Sequence, residues 1–106
     1  MGFLDFFKQA DINQGVEEYQ ATPGGILLDV RTPQEYREGR ISGSQNLPLQ
    51  DLSRVEAVVK NKETPLFVYC RSGARSGQAI RLLQRMGYTN VRNIGGILSY
   101  SGPVER

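Results

Sequence analysis

Apolar positions along the chain alternate between helical spacing and short continuous runs. From Asp11 to Gln20, Ile12, Val16 and Tyr19 recur at helical intervals and predict a short first helix. Thr22-Pro23-Gly24-Gly25 stops it. Ile26-Leu27-Leu28-Asp29-Val30 is short and almost wholly apolar, the pattern of a buried strand. Thr32, Pro33 and Glu35 predict the start of another helix, with Thr32 as N-cap and Glu35 as its capping-box partner, and Gly39 ends it. Ile41 to Leu49 reads as a turn and a brief extended piece. Asp51 to Lys60 places Leu52, Val55, Val58 and Val59 on one face of a further helix. Leu66-Phe67-Val68-Tyr69 is the best-defined strand, with Cys70 at its carboxyl end. Ala79, Ile80, Leu82, Leu83 and Met86 then trace an amphipathic helix that Gly87 ends, and Val91-Arg92-Asn93-Ile94 forms a last strand before Gly95-Gly96. Strands alternating with helices predict an α/β fold built on a parallel sheet.

Composition narrows this picture. A chain of 106 residues fits one domain, which we place at residues 11–106 after an N-terminal extension at 1–10. No apolar run approaches the ~20 residues of a membrane span, and an acid, Asp5, stands where a secretory signal carries bases. These features predict a soluble, cytoplasmic chain that makes no use of a membrane. The Phe3, Leu4, Phe6, Phe7 cluster reads as an apolar terminus packing back on the domain. A formal charge of +2, with basic residues spread along the chain, predicts no nucleic-acid partner. The chain has one cysteine and no histidine. An internal disulfide is therefore impossible, a transition-metal site would have to use carboxylates alone, and no cofactor or metal is expected. A nucleophilic cysteine must also be activated without an imidazole.

Cys70 is the candidate nucleophile. A lone cysteine at a strand end is most often a small buried hydrophobe. Here it heads the loop Cys70-Arg71-Ser72-Gly73-Ala74-Arg75-Ser76, which opens a helix. In open α/β sheets, ligands bind at the carboxyl ends of the strands. The small residues Ser72, Gly73 and Ala74 allow successive backbone N–H groups to turn inward as an anion nest, and the helix terminus adds partial positive charge. Arg71 and Arg75 add full charges. All of these favour a thiolate, a persulfide anion or a bound oxyanion. Four residues separate Cys70 from Arg75. Tyrosine-phosphatase loops have one more, so this smaller ring suits a transferred sulfur better than a phosphoryl group.

These residues resemble the rhodanese family of sulfurtransferases in its single-domain form. The resemblance runs from about Asp11 to the end, through Leu28-Asp29-Val30-Arg31 with Glu35-Tyr36, Gly39 to Ser44 with Asn46-Leu47-Pro48, the Cys70 loop, and Gly95-Gly96-Ile97. It implies a rhodanese-like fold, a small central parallel sheet flanked by helices on both faces. It also implies a thiosulfate sulfurtransferase working in two half-reactions. Cys70 takes the outer sulfur of thiosulfate or another sulfane-sulfur donor as a persulfide. Cyanide, a thiol or a protein acceptor then removes it. The family's cradle falls on Arg71, Ser72, Gly73, Ala74 and Arg75, with Ser76 capping the helix and Arg71 and Arg75 binding the dianionic donor. The chain departs from the family where Arg40 replaces a usual histidine, Ser44 a usual alanine, and Tyr100 stands nearest to the place of a usual tryptophan.

Asp29 and Arg31 end the first strand near the same crevice. We read them, with Glu35, as an ion network supporting the loop from behind, with direct substrate contact as the alternative. Two other functions compete with sulfur transfer to small molecules: a sulfur carrier serving a protein partner, and a small phosphatase or arsenate reductase, which the loop length disfavours.

Overall fold

The computed structural model describes residues 10–106. The Phe-rich segment, and the expected extension up to Gln9, lie outside the described residues. Two short runs form the heart of the sheet: β1 (Ile26–Asp29), apolar up to its closing acid, and, after the short strands β2 (Arg40–Ile41) and β3 (Gln45–Asn46), the apolar β4 (Leu66–Cys70). With β5 (Val91–Gly96) they make a parallel four-stranded sheet in the order β3-β1-β4-β5. Parallel strands need crossovers that cover both faces, so all five residues of β4 are buried. Leu66, Val68 and Cys70 join one core cluster, and Phe67 and Tyr69 join the other. The first cluster is closed by Ala79 and Leu83 of α4 (Ala74–Arg85) together with Leu52, Val55 and Val59; the second is closed by Ile12 and Val16 of α1 (Ile12–Gln20). This is the expected sheet with helices on both faces.

Local chemistry explains the ends of these elements. Asp11 caps α1 by accepting from the Asn13 and Gln14 N–H groups. In α2 (Pro33–Glu38) the capping box closes in both directions: Thr32 Oγ1 accepts from Glu35 N, and the Glu35 carboxylate accepts from Thr32 N. A second, two-stranded sheet pairs β2 with β6 (Val104–Glu105) in antiparallel fashion. Arg40 lies over the Tyr36 ring at 5.1 Å and reaches Glu105 at 3.9 Å, so the residue that departs from the family pattern ties α2 to the C-terminal strand.

The helix expected over Asp51 to Lys60 is corrected. Leu49–Arg54 is a 3-10 segment kinked at Asp51, and only α3 (Val55–Val58) is α-helical. Val59 turns to extended backbone, where its side chain is buried and its carbonyl accepts from the Tyr88 hydroxyl. Leu52, Val55 and Val59 keep their core positions, whereas Val58 is 50% exposed. Anchoring of Val59 in the core overrides the helical periodicity that the four apolar residues suggest.

Candidate active site

The carboxyl ends of β1, β4 and β5 converge on the Cys70 loop. Cys70 is the last residue of β4 and is 1% exposed. Gly73 is the N-cap of α4 at φ 104°, a left-handed conformation that favours glycine, and it supplies no capping side chain. Its N–H instead donates to Cys70 Sγ at 2.9 Å. The Ser76 hydroxyl lies 3.5 Å from the same sulfur. Burial pushes the Cys70 thiol up. The Ser76 hydroxyl and the backbone N–H groups of Ser76, Gly73 and Ser72 outweigh it, so the thiol sits below its ordinary value. Hydrogen bonds from the loop and the helix start thus favour the thiolate in a chain that has no histidine.

The back of the loop explains why its N–H groups face inward. The Arg71 carbonyl accepts from Leu98 N at 3.2 Å, on the far side of Gly96. A Cβ on Gly96 would stand 2.3 Å from that carbonyl oxygen and 2.5 Å from Ser72 Cα, so only glycine permits this approach. A register shift in the pairing of β4 with β5 lets Asn93 turn its side chain to the loop. Asn93 Nδ2 donates to the Gly73 carbonyl, while its Oδ1 accepts from Gly95 N and lies 2.7 Å from Ser76 Oγ. Ser76 is fully buried and also reaches the Gly73 carbonyl at 3.0 Å. It lies inside the first turn of α4, so the capping role implied by the family falls to Gly73 instead. Asn93 and Leu98 escaped the sequence reading. Asn93 stands near the carboxyl end of a parallel strand, the same signal that selected Cys70.

The charged residues form two separate pairs where one network was expected. Arg31 binds Asp29 through Nε and Nη2, at 2.7 Å for the shortest contact, and donates to the Gly39 carbonyl at 2.6 Å. Both residues of this pair are buried. Burial opposes the Arg31 charge, yet the hydrogen bond and charge of Asp29 outweigh it and raise the guanidinium's pKa. Glu35 turns instead to Arg75, which it holds through two bonds of 2.7 and 3.0 Å. The capping box places Glu35 on the first turn of α2, facing the start of α4. Hydrogen bonding by Arg75, added to that from Thr32, lowers the Glu35 carboxyl from 4.5 to about 2. Arg71 is exposed and has no ion-pair partner among the described residues. Ser72 is exposed as well, and Ala74 sits at the first position of α4. Together these groups can hold an anion on sulfur without any imidazole.

Comparison with known proteins places this geometry. The model of the rhodanese-like domain matches residues 9–102. The thiosulfate sulfurtransferase PspE of Escherichia coli is 39% identical over 77 residues, covering 72% of this chain and 74% of that protein. The putative sulfur carrier protein YrkF of Bacillus subtilis is 31% identical over 80 residues, covering 74% of this chain but 43% of that longer protein. Among solved structures, a rhodanese with anions from E. coli superposes with a TM-score of 0.72 at 36% identity, covering 77% of this chain and 98% of that one. The rhodanese-like domain of an Anabaena protein reaches a TM-score of 0.79 at 27% identity, over 92% of this chain and 77% of that one. With the fold, the cysteine loop and the family match all in agreement, the chain belongs to the rhodanese-like domain family of sulfurtransferases.

Proposed function

We propose that this protein is an enzyme that moves sulfane sulfur through a persulfide on Cys70. In the first half-reaction the Cys70 thiolate attacks the outer sulfur of a donor such as thiosulfate. The new S–S bond forms as the donor's S–S bond breaks, and sulfite leaves with the electron pair. In the second, a thiol, cyanide or a protein acceptor attacks the outer sulfur of the persulfide and restores the thiolate. Arg71, Ser72, Gly73, Ala74, Arg75 and Ser76 form the substrate cradle in this reading, and Asp29 and Arg31 brace it from β1. The observation that carries it is the N–H of Gly73 aimed at Cys70 Sγ from 2.9 Å at the start of a helix. That arrangement favours an anion on sulfur before and after sulfur is loaded. A lone free cysteine suits a reducing compartment, and we place the protein in the cytoplasm.

The second reading, a sulfur carrier that serves a protein partner, is favoured by the similarity to YrkF. Incubation with thiosulfate and cyanide separates the readings. Thiocyanate formed by wild type and absent with Cys70→Ala supports the enzyme. Production no higher than that of Cys70→Ala removes it. A persulfide that passes to a protein acceptor but not to cyanide would favour the carrier.

A further inference from the structure

A cleft of about 240 Å³ lies against the Cys70 loop at Arg71 and against α2 at Glu35. Its wall carries two guanidinium groups, Arg31 and Arg71, and two carboxylates, Glu35 and Glu38. Leu98, 63% exposed, and Val104, 37% exposed, supply an apolar edge. The two ion pairs behind the loop neutralise most of its charge: Asp29 is matched to Arg31, and Glu35 to Arg75. Of the three guanidinium groups around the loop, Arg31, Arg71 and Arg75, only Arg71 has no ion-pair partner among the described residues, and Glu38 shares its cleft. The three guanidinium groups and three carboxylates balance, so the Cys70 thiolate leaves the site negative before any donor arrives.

A dianionic donor then faces a net repulsion that only the loop N–H groups offset. The sulfur pair of a hydropersulfide brings one negative charge at most, against two for thiosulfate. The hydropersulfide shares one proton with the Cys70 thiolate, and its organic part can meet the apolar and zwitterionic wall of the cleft. We propose that Glu35 is a positioning residue that sets donor selectivity: by holding Arg75, it tunes the site to the hydropersulfide of an amino-acid thiol rather than to thiosulfate. This deepens the sulfurtransferase reading and rests on it. The step balances as Cys70–S⁻ + RS–SH giving Cys70–S–SH + RS⁻. The bond from Sγ to the outer sulfur forms, the donor S–S bond breaks, its electron pair leaves on RS⁻, and the proton stays on the transferred sulfur.

The test compares thiosulfate with cysteine hydropersulfide as donors, reading persulfide formation on Cys70 by intact mass over time. Three proteins are needed: wild type, Glu35→Gln and Glu35→Gln/Arg75→Gln. Gln still accepts from Thr32 N, so the capping box survives. Wild type is expected to have the higher kcat/KM with cysteine hydropersulfide. Glu35→Gln frees Arg75 for the dianion and shifts the ratio toward thiosulfate by about tenfold, the scale of one hydrogen bond to a charged group. The double variant loses that shift, which a purely structural role for Glu35 would not produce. Taking the ratio cancels any change in Cys70 reactivity that acts on both donors.

A wild-type preference for thiosulfate, or a ratio unmoved by Glu35→Gln, overturns the inference while the sulfurtransferase reading stands. If neither donor loads Cys70, both fall. Wild type alone gives a second readout should the variants fold poorly. A site without net positive charge predicts that the thiosulfate rate does not fall as ionic strength rises from about 0.01 to 0.15 M, a range over which the screening length shortens from ~30 to ~8 Å. A steep fall would contradict it.

Discussion

The Ser76 hydroxyl has one proton and three neighbours that want it: the Gly73 carbonyl, Asn93 Oδ1 and Cys70 Sγ. With Cys70 as a thiol, that proton can stay with the oxygens; with a thiolate, it gains by turning to sulfur. Ser76→Ala removes this donor from a buried anion, and a hydrogen bond to a charged group contributes about 1.5–3 kcal/mol. The expected outcome is a rise of about one unit in the midpoint of Cys70 alkylation by iodoacetamide against pH, since a unit corresponds to about 1.4 kcal/mol. An unchanged midpoint would show that the backbone N–H groups suffice. Cys70 stood out in the sequence because one cysteine, no histidine and a Gly-containing strand-to-helix turn leave few alternatives. Asn93 did not, because its contribution depends on a register shift between β4 and β5 that no local pattern encodes.

Glycine substitutions separate two elements that the sequence makes look alike. Gly96 sits under the loop, where a Cβ would meet the Arg71 carbonyl at 2.3 Å; Gly77 lies within α4, where the nearest atom to a Cβ is Asn93 Nδ2 at 3.6 Å. Gly96→Ala must push the loop outward, at a cost of about 1–3 kcal/mol in stability, and should cut persulfide formation strongly. Gly77→Ala should raise the urea midpoint by the equivalent of about 0.5–1 kcal/mol, because alanine loses less entropy in a helix. Parallel urea titrations check both. The α2 capping box and the strand β4 were legible in the sequence, since each is specified by neighbours in the chain. The segment after Pro48 was not. Its apolar spacing fits a helix, yet burial of Val59 and the bond from Tyr88 set its path, and those contacts span nearly thirty positions.

The whole molecule was legible through alternation: short apolar runs at β1 and β4, helices apolar on one face, and therefore a parallel sheet covered on both sides. Charge pairing across that sheet was not, because Glu35 and Arg75 are forty residues apart in sequence. Their pair links α2 to α4 and makes stability depend on acid. Glu35 titrates at about 2 in the folded chain against 4.5 unperturbed, so its contribution is complete above pH 4.5 and is lost as pH falls through about 2. Both side chains are partly exposed, at 26% and 34%, and solvent screening leaves about 1 kcal/mol at neutral pH. Thermal unfolding of wild type and Glu35→Gln should therefore differ above pH 4.5 and converge toward pH 2. A constant gap would mean that the carboxylate charge contributes nothing. The central claim, that Cys70 carries sulfur in transit, is tested most directly by intact mass. Wild type incubated with thiosulfate or cysteine hydropersulfide should gain one sulfur atom, located on Cys70, and lose it on addition of cyanide or a thiol, while Cys70→Ala gains nothing. A wild-type mass unchanged by both donors would contradict the account.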